Sequence, residues 1–175
     1  YGNYDAWANF PDDETTYRQI LMHYDMRCSS SGCSEWDYTT KISLLKPTED
    51  LDESGNTIYT HDQTIANVIT PYGTYMQGNG TQGFSPDWVQ RYTYDVTDFA
   101  HLLVDSVKMR AFYGGWSTGF NVTLNFEFIE GIPPRNVLNV QNLWSGSNSY
   151  ASMANILNDT LVYIPEEATN SAMRV

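Results

Sequence analysis

Alternation of apolar and polar side chains is the feature that most limits how this chain can fold. Residues 122–129 carry apolar side chains at every second position, namely Val122, Leu124, Phe126 and Phe128. Residues 17–26 do the same at Ile20, Met22, Tyr24 and Met26. Since successive side chains of a β-strand point to opposite faces of its sheet, each segment predicts a strand with one buried face.

Further short strands are predicted along the chain, at 38–45, 65–70, 88–96 and 107–112. The acidic residues 47–56 contain Ser54, Gly55 and Asn56 and predict a hairpin tip between two of these strands. Glycines in residues 78–83 predict a long loop. Short strands separated by turn signals are typical of antiparallel sandwiches. We therefore predict an all-β fold.

The amino-acid composition limits which binding partners and which cellular compartment are expected for this protein. The 14% aromatic content, with five Trp and thirteen Tyr, favours strands. A formal charge of −12 opposes binding to nucleic acid or to anionic membranes, and no apolar run is long enough to span a bilayer. Low lysine content and a close pair of cysteines favour a secreted or cell-surface protein. Free thiols in a cytosolic protein are the alternative.

Both cysteines of the chain, Cys28 and Cys33, lie shortly before Asp37. A disulfide between them would close a short loop, contribute roughly 2 kcal/mol of stability and fix the start of the following strand. Because a catalytic carboxylate must be held firmly, this arrangement makes Asp37 a candidate catalytic residue. The alternative is a surface loop with two thiols and a solvated aspartate.

A domain boundary is predicted near Gly131 and Pro133, since proline removes donors from a β-ladder. We predict a first domain at 1–135 and, at 136–175, a linker with the opening strands of a second, incomplete domain. Those strands are predicted at 160–164 and 171–175, with a turn at 165–167 between them. An unpaired last strand would leave an open edge, so the rest of this second domain is expected from elsewhere in the same protein.

Several segments carry a family resemblance through their order and spacing. They are FP at 10–11, TT at 15–16, CSEWD at 33–37, ITPY at 69–72, DVTDF at 95–99, LL at 102–103, Trp116, FEFIEG at 126–131 and Pro133. Together they resemble the amino-terminal domain of the peptide-N-glycosidase F family, nearly from end to end. The resemblance implies two antiparallel jelly-roll β-sandwich domains with an active site at their junction. It also implies hydrolysis of the amide bond between asparagine and the first N-acetylglucosamine, so N-glycans and glycoproteins are the implied partners.

The resemblance places Asp37 on the essential aspartate of that family, but two neighbouring positions depart from its pattern. Tyr38 stands where the family has an arginine that contacts the chitobiose core. Gly114 stands where it has a second functional glutamate, two residues before Trp116. With one carboxylate missing, acid and base roles cannot be divided between the two groups. Two functions stay open: an amidase completed by the second domain, or a non-catalytic module that binds glycan or protein in a cell-surface assembly.

Four aromatic residues near these positions are candidates for stacking on sugar rings: Trp36, Tyr38, Tyr113 and Trp116. The alternative is that they belong to the core or rim of the sandwich. Strand alternation predicts that Trp36 packs inward while Asp37 projects outward.

Metal and cofactor sites are not predicted. The histidines, His23, His61 and His101, share no spacing typical of metal ligands. The acidic runs at 12–14 and 49–53 lack the spacing of an EF-hand loop and are interpreted as solvated turns.

Overall fold

Antiparallel strands make up most of the architecture, which is taken from a computed structural model. It describes residues 2–30, 33–34, 36–71, 88–116, 119–143 and 159–173. The elements are β1 (Gly2–Asn9), β2 (Tyr17–Cys28), β3 (Thr39–Leu51), β4 (Thr57–Ile69), β5 (Val89–Asp95), a 3₁₀ helix (Thr97–Leu102), β6 (Ser106–Tyr113) and β7 (Phe120–Glu130). No helix in the described ranges has the length and apolarity to cross a membrane.

The strands form two sheets that face each other. One sheet has the order β1-β6-β3-β4 and the other β5-β2-β7, and all neighbouring strands are antiparallel. Side chains connect the sheets across the core: the Tyr24 hydroxyl of β2 lies 3.1 Å from Oγ1 of Thr40 in β3. Tyr94 of β5 donates to the carbonyl of Asn67 in β4 at 3.3 Å. The predicted all-β antiparallel sandwich is confirmed.

The core forms around β2, which is paired on both sides. Its predicted apolar face is confirmed, since at most 1% of the surface of Ile20, Met22, Tyr24 and Met26 is exposed. On the opposite face Asp25 is also buried, and its carboxylate accepts two hydrogen bonds from Arg91 of β5, at 2.6 and 2.7 Å. A charge can be buried there because a charged partner with matching geometry bonds it.

The β3–β4 hairpin is longer than predicted. β3 extends to Leu51, through half of the predicted tip at 47–56, and β4 begins at Thr57, ahead of the predicted start at 65; Pro47 lies within β3, opposite Tyr59. Proline's missing N–H interrupts no ladder with β6, because β6 pairs with β3 only from Thr40 to Leu45, and the pairing of β3 with β4 becomes irregular directly after Pro47. The turn itself is tightened by Asp52, whose carboxylate accepts the N–H groups of Ser54 and Asn56 at 2.8 Å. The predicted glycine-rich loop at 78–83 lies outside the described residues.

Arg135–Val175 forms a compact unit of its own, separate from Tyr1–Pro134. The predicted turn at 165–167 is present, closed by a 3.0 Å hydrogen bond from the Ala168 N–H to the Pro165 carbonyl. The strand predicted at 160–164 is wrong: residues 159–173 contain no strand. A strand needs a ladder partner for its backbone groups, and this unit offers none among its described residues. The last two residues of the strand predicted at 171–175 are not described.

Candidate functional site

The predicted site residues lie at one end of the sandwich, which we call the Asp37 end. Its position follows from the register of the strands. Cys28, the last residue of β2, pairs with Phe120, the first of β7. Thr39 at the start of β3 pairs with Ile69 at the end of β4, and Tyr113 at the end of β6 pairs with Thr40. The segments that leave or enter these strands therefore meet at this end.

A disulfide between Cys28 and Cys33 closes the segment that precedes Asp37. The Cα atoms of the two cysteines are 4.5 Å apart, and the predicted bond is confirmed. Cys33 and the following Ser34 are almost fully buried. The end of β2 is thus covalently tied to the chain that leads to Asp37, only a few residues away.

Thr70 bonds the backbone on both sides of Asp37. Its Oγ1 donates to the carbonyl of Trp36 at 3.2 Å and accepts the N–H of Tyr38 at 2.8 Å. Its own N–H donates to the carbonyl of Tyr38 at 2.8 Å. Only 1% of the Thr70 surface is exposed, so these bonds are shielded from water.

The buried hydroxyl of Ser34 donates a second hydrogen bond to the Trp36 carbonyl. The length of this bond is 3.4 Å, and the hydroxyl of Tyr113 donates to Ser34 Oγ at 3.1 Å. The chain of bonds runs from the end of β6 through Ser34, directly after the disulfide loop, to the residue before Asp37. Three separate parts of the sequence therefore fix the backbone at this point.

Asp37, Trp36 and Trp116 are exposed at this end. The exposed fraction is 51% for Trp36 and 81% for Trp116, so a large aromatic surface faces solvent at the same end as the carboxylate. The prediction that Trp36 packs inward is wrong. Strand alternation does not apply to it, because Trp36 lies in a bend and regular β3 geometry begins only at Thr39.

Tyr38 and Tyr113 form a different kind of aromatic pair, half-buried and packed against each other. Their ring centroids are 5.6 Å apart and the ring planes make an angle of 79°, an edge-to-face arrangement. A Cβ atom built on Gly115 would overlap both rings. The absence of a side chain at Gly115 is therefore what lets this pair close over the backbone.

Gly114 is also closely packed, although less tightly than Gly115. Its N–H donates to the Thr39 carbonyl at 2.9 Å. A Cβ atom there would lie 3.1 Å from that same carbonyl oxygen and 3.3 Å from the Phe112 ring. A side chain at this position would require its neighbours to shift by a few tenths of an ångström, so the local packing suits the glycine that the sequence contains.

Other polar clusters singled out in the sequence serve the sheets and turns. His23 Nδ1 lies 3.1 Å from Thr93 Oγ1, and its Nε2 lies 3.2 Å from Glu127 Oε2. In the first acidic run, Asp12 accepts the N–H of Glu14 at 3.2 Å. Within the described part of the chain, no group of three or more His, Cys, Asp or Glu side chains could hold a metal ion.

Three carboxyl groups have a lowered pKa because of specific partners. Hydrogen bonds from Arg91 lower the pKa of Asp25, and a bidentate bond from Arg110 at 2.7 and 2.9 Å lowers the pKa of Asp5. Hydrogen bonds from Asn56 lower the pKa of Asp52. These carboxylates stabilise the sheet faces and the hairpin turn.

Sequence reasoning did not single out Thr70 or Ser34. Hydroxyl side chains are common in β-proteins, and nothing in their own spacing marks these two as partners of Asp37. The available signal was their membership of the segments ITPY and CSEWD, which carry the family resemblance. Their role depends on contacts between residues far apart in the sequence.

The fold is similar to three solved structures of one kind of enzyme. They are a peptide-N(4)-(N-acetyl-β-D-glucosaminyl) asparagine amidase, a recombinant peptide:N-glycanase F (PNGase F), and PNGase F, a glycosylasparaginase, from Flavobacterium meningosepticum. TM-scores are 0.51, 0.52 and 0.51, each at 24% sequence identity over 75% of this chain. The matches cover 37%, 36% and 37% of those chains, so this chain spans little more than a third of their length.

At this identity the similarity shows the fold, a PNGase F-like jelly-roll sandwich. No protein-family model matches the chain, and no curated protein matches it in sequence.

Proposed function

We propose that this chain is the first jelly-roll domain of a secreted bacterial N-glycan amidase in which Asp37 is the catalytic carboxylate. One observation carries the proposal: Asp37 is exposed, while the peptide groups on both sides of it are bonded to the buried Thr70. A solvent-facing carboxylate on a fixed backbone suits proton transfer with a bound substrate. The PNGase F-like fold and the disulfide are compatible with this assignment.

The proposed reaction is hydrolysis of the amide bond between asparagine and N-acetylglucosamine. Water adds to the amide carbonyl carbon while Asp37 takes one of its protons. The C–N bond then breaks as the glycosylamine nitrogen gains a proton, leaving aspartate on the peptide. The glycosylamine is afterwards hydrolysed by water, which releases ammonia and leaves the free glycan. The reaction needs no cofactor.

Gly114 stands where the resemblance places the family's second glutamate, so this position supplies no carboxylate to protonate the leaving nitrogen. We therefore assign the second acid to the second jelly-roll domain of the same protein. Tyr38, in the position of the family's arginine, would change how the innermost sugars are recognised.

The second candidate is a non-catalytic module that binds glycan or protein within a cell-surface assembly. The exposed tryptophans at the Asp37 end favour it, because flat aromatic surfaces suit stacking on sugar rings and burial at interfaces. It requires no second carboxylate. In this case Trp36→Ala and Trp116→Ala weaken binding, while Asp37→Asn leaves it nearly unchanged.

The test is conversion of asparagine to aspartate in a denatured N-glycoprotein, read by mass spectrometry. The complete gene product is compared with Asp37→Asn and with Asp13→Asn, which removes an exposed charge from a remote turn. We expect wild type and Asp13→Asn to convert the substrate and Asp37→Asn to be about a hundredfold slower or worse. Without conversion by the wild type the amidase proposal fails, and N-glycan binding that is lost in Trp116→Ala then supports the second candidate.

A further inference from the structure

We propose that Thr70 is a positioning residue for Asp37 and that it acts through its side-chain hydroxyl. The inference rests on the proposed function, because positioning matters only if the Asp37 carboxylate meets a substrate. It adds a requirement to that function: a buried hydroxyl from a distant segment must hold the backbone that carries the carboxylate.

The geometry shows one oxygen bonded to both neighbours of one residue. Thr70 Oγ1 uses its proton for the Trp36 carbonyl at 3.2 Å and a lone pair for the Tyr38 N–H at 2.8 Å. The backbone N–H of Thr70 adds a bond of 2.8 Å to the Tyr38 carbonyl. Rotation of either peptide group that flanks Asp37 therefore breaks at least one of these bonds.

Thr70 is itself well fixed. It follows the last residue of β4, Ile69, whose pairing with Thr39 aligns the two segments. Pro71 comes next, and a residue before proline is confined to extended backbone conformations. Threonine is also β-branched, which restricts its side-chain rotamer. The hydroxyl is thus presented at a defined place, and its burial at 1% exposure keeps water from replacing the bonds.

Asp37 needs such support because it lies outside the regular part of β3, which begins at Thr39. The disulfide fixes the chain up to Cys33, and Ser34 helps to hold the Trp36 carbonyl. The Tyr38 N–H, on the other side of Asp37, is bonded to Thr70 Oγ1. Loss of the hydroxyl therefore frees the peptide group on the carboxyl side of Asp37, and a displacement of about 1 Å at a catalytic group can cost about a hundredfold in rate.

The experiment compares Thr70→Val, which keeps the shape and removes the hydroxyl, with Thr70→Ser, which keeps the hydroxyl. Thr40→Val is the matched control. Thr40 is also a buried threonine, but its Oγ1 contacts the Tyr24 hydroxyl of β2 and lies 3.4 Å from the Val68 carbonyl of β4, so its bonds go to other strands and not to the peptide groups that flank Asp37. All variants are made in the complete gene product and assayed for glycan release well below their unfolding midpoints. Amide hydrogen exchange at Tyr38 is measured on the same samples.

We expect Thr70→Val to lower kcat about tenfold or more with little change in KM, and to speed exchange of the Tyr38 amide. In Thr70→Ser, kcat and the exchange rate of the Tyr38 amide should both stay close to the wild-type values. Thr40→Val should leave kcat nearly unchanged. Equal kcat in Thr70→Val and Thr40→Val, with an active wild type, overturns the inference and leaves the amidase proposal standing. An inactive wild type defeats the amidase proposal instead. Exchange at Tyr38 that stays unchanged in Thr70→Val overturns the inference in either case.

Discussion

Tyr113 donates its hydroxyl proton to Ser34 Oγ across a distance of 3.1 Å, although 79 residues separate them in the sequence. The bond joins the end of β6 to the residue that directly follows the disulfide loop, three positions before Asp37. Ser34 passes its own proton to the Trp36 carbonyl at 3.4 Å. The half-buried tyrosine therefore acts as a structural support of the candidate site, and its hydroxyl is already engaged when a ligand approaches.

Replacement of Tyr113 by phenylalanine should destabilise the fold modestly. Buried Ser34 would lose a donor, and the loss of one such hydrogen bond typically costs about 0.5–1.5 kcal/mol. The free energy of unfolding is measured by urea denaturation. Tyr92→Phe, which removes a hydroxyl from β5 in the other sheet, is the matched control and should cost less. An equal or smaller loss in Tyr113→Phe would show that this bond contributes nothing to stability.

Gly115→Ala should be clearly destabilising. The added methyl group would overlap the rings of Tyr38 and Tyr113, and overpacking of this kind costs about 1–3 kcal/mol. Gly119→Ala is the control, because its Cβ atom would be 3.8 Å from the Tyr113 ring, an ordinary contact. Thermal unfolding of both variants provides the comparison. Equal melting temperatures for the two variants would contradict the packing described for this pair.

Removal of the disulfide should lower stability and loosen the Asp37 end. On loop-closure entropy the short Cys28–Cys33 loop contributes about 2 kcal/mol. The double variant Cys28→Ser, Cys33→Ser is compared with wild type by urea denaturation, with and without reductant. Reductant should lower the free energy of unfolding of the wild type and leave that of the double variant unchanged. If reductant frees the thiols of the wild type but does not lower its free energy of unfolding, the disulfide does not contribute to stability.

Acid should destabilise the fold partly through Asp25. The hydrogen bonds from Arg91 hold the folded-state pKa of Asp25 below its usual value, although burial opposes this. The unfolded state therefore takes up the proton first, so this stabilisation is present above a pH of about 4 and is lost as the pH falls through the lower folded pKa. Asp25→Asn should lose stability at neutral pH and show a flatter decline below about pH 4. The measurement is the unfolding midpoint as a function of pH, and parallel curves for the two proteins would refute the role of this pair.

The sequence alone determined the sheet-forming segments and the burial of β2. The alternation of Ile20, Met22, Tyr24 and Met26 predicted a buried strand face from the local sequence alone, because the backbone of a strand directs successive side chains to opposite faces. The proximity of Cys28 and Cys33 likewise predicted their bond, since a closure this short depends little on the rest of the fold. The carboxylate Asp37 and its neighbouring aromatics were also visible as residue types.

Tertiary structure decided what surrounds these residues. Pro47 lies in β3 beyond Leu45, where β6 no longer pairs with that strand, and the sequence around Pro47 does not show where this pairing ends. Trp36 is exposed because the chain bends before β3, whereas alternation alone had placed it inward. Thr70 reaches Tyr38 across 32 positions of sequence, through the pairing of β3 with β4. Such contacts depend on register and strand order, which arise from packing of the whole sandwich and leave no local pattern in the sequence.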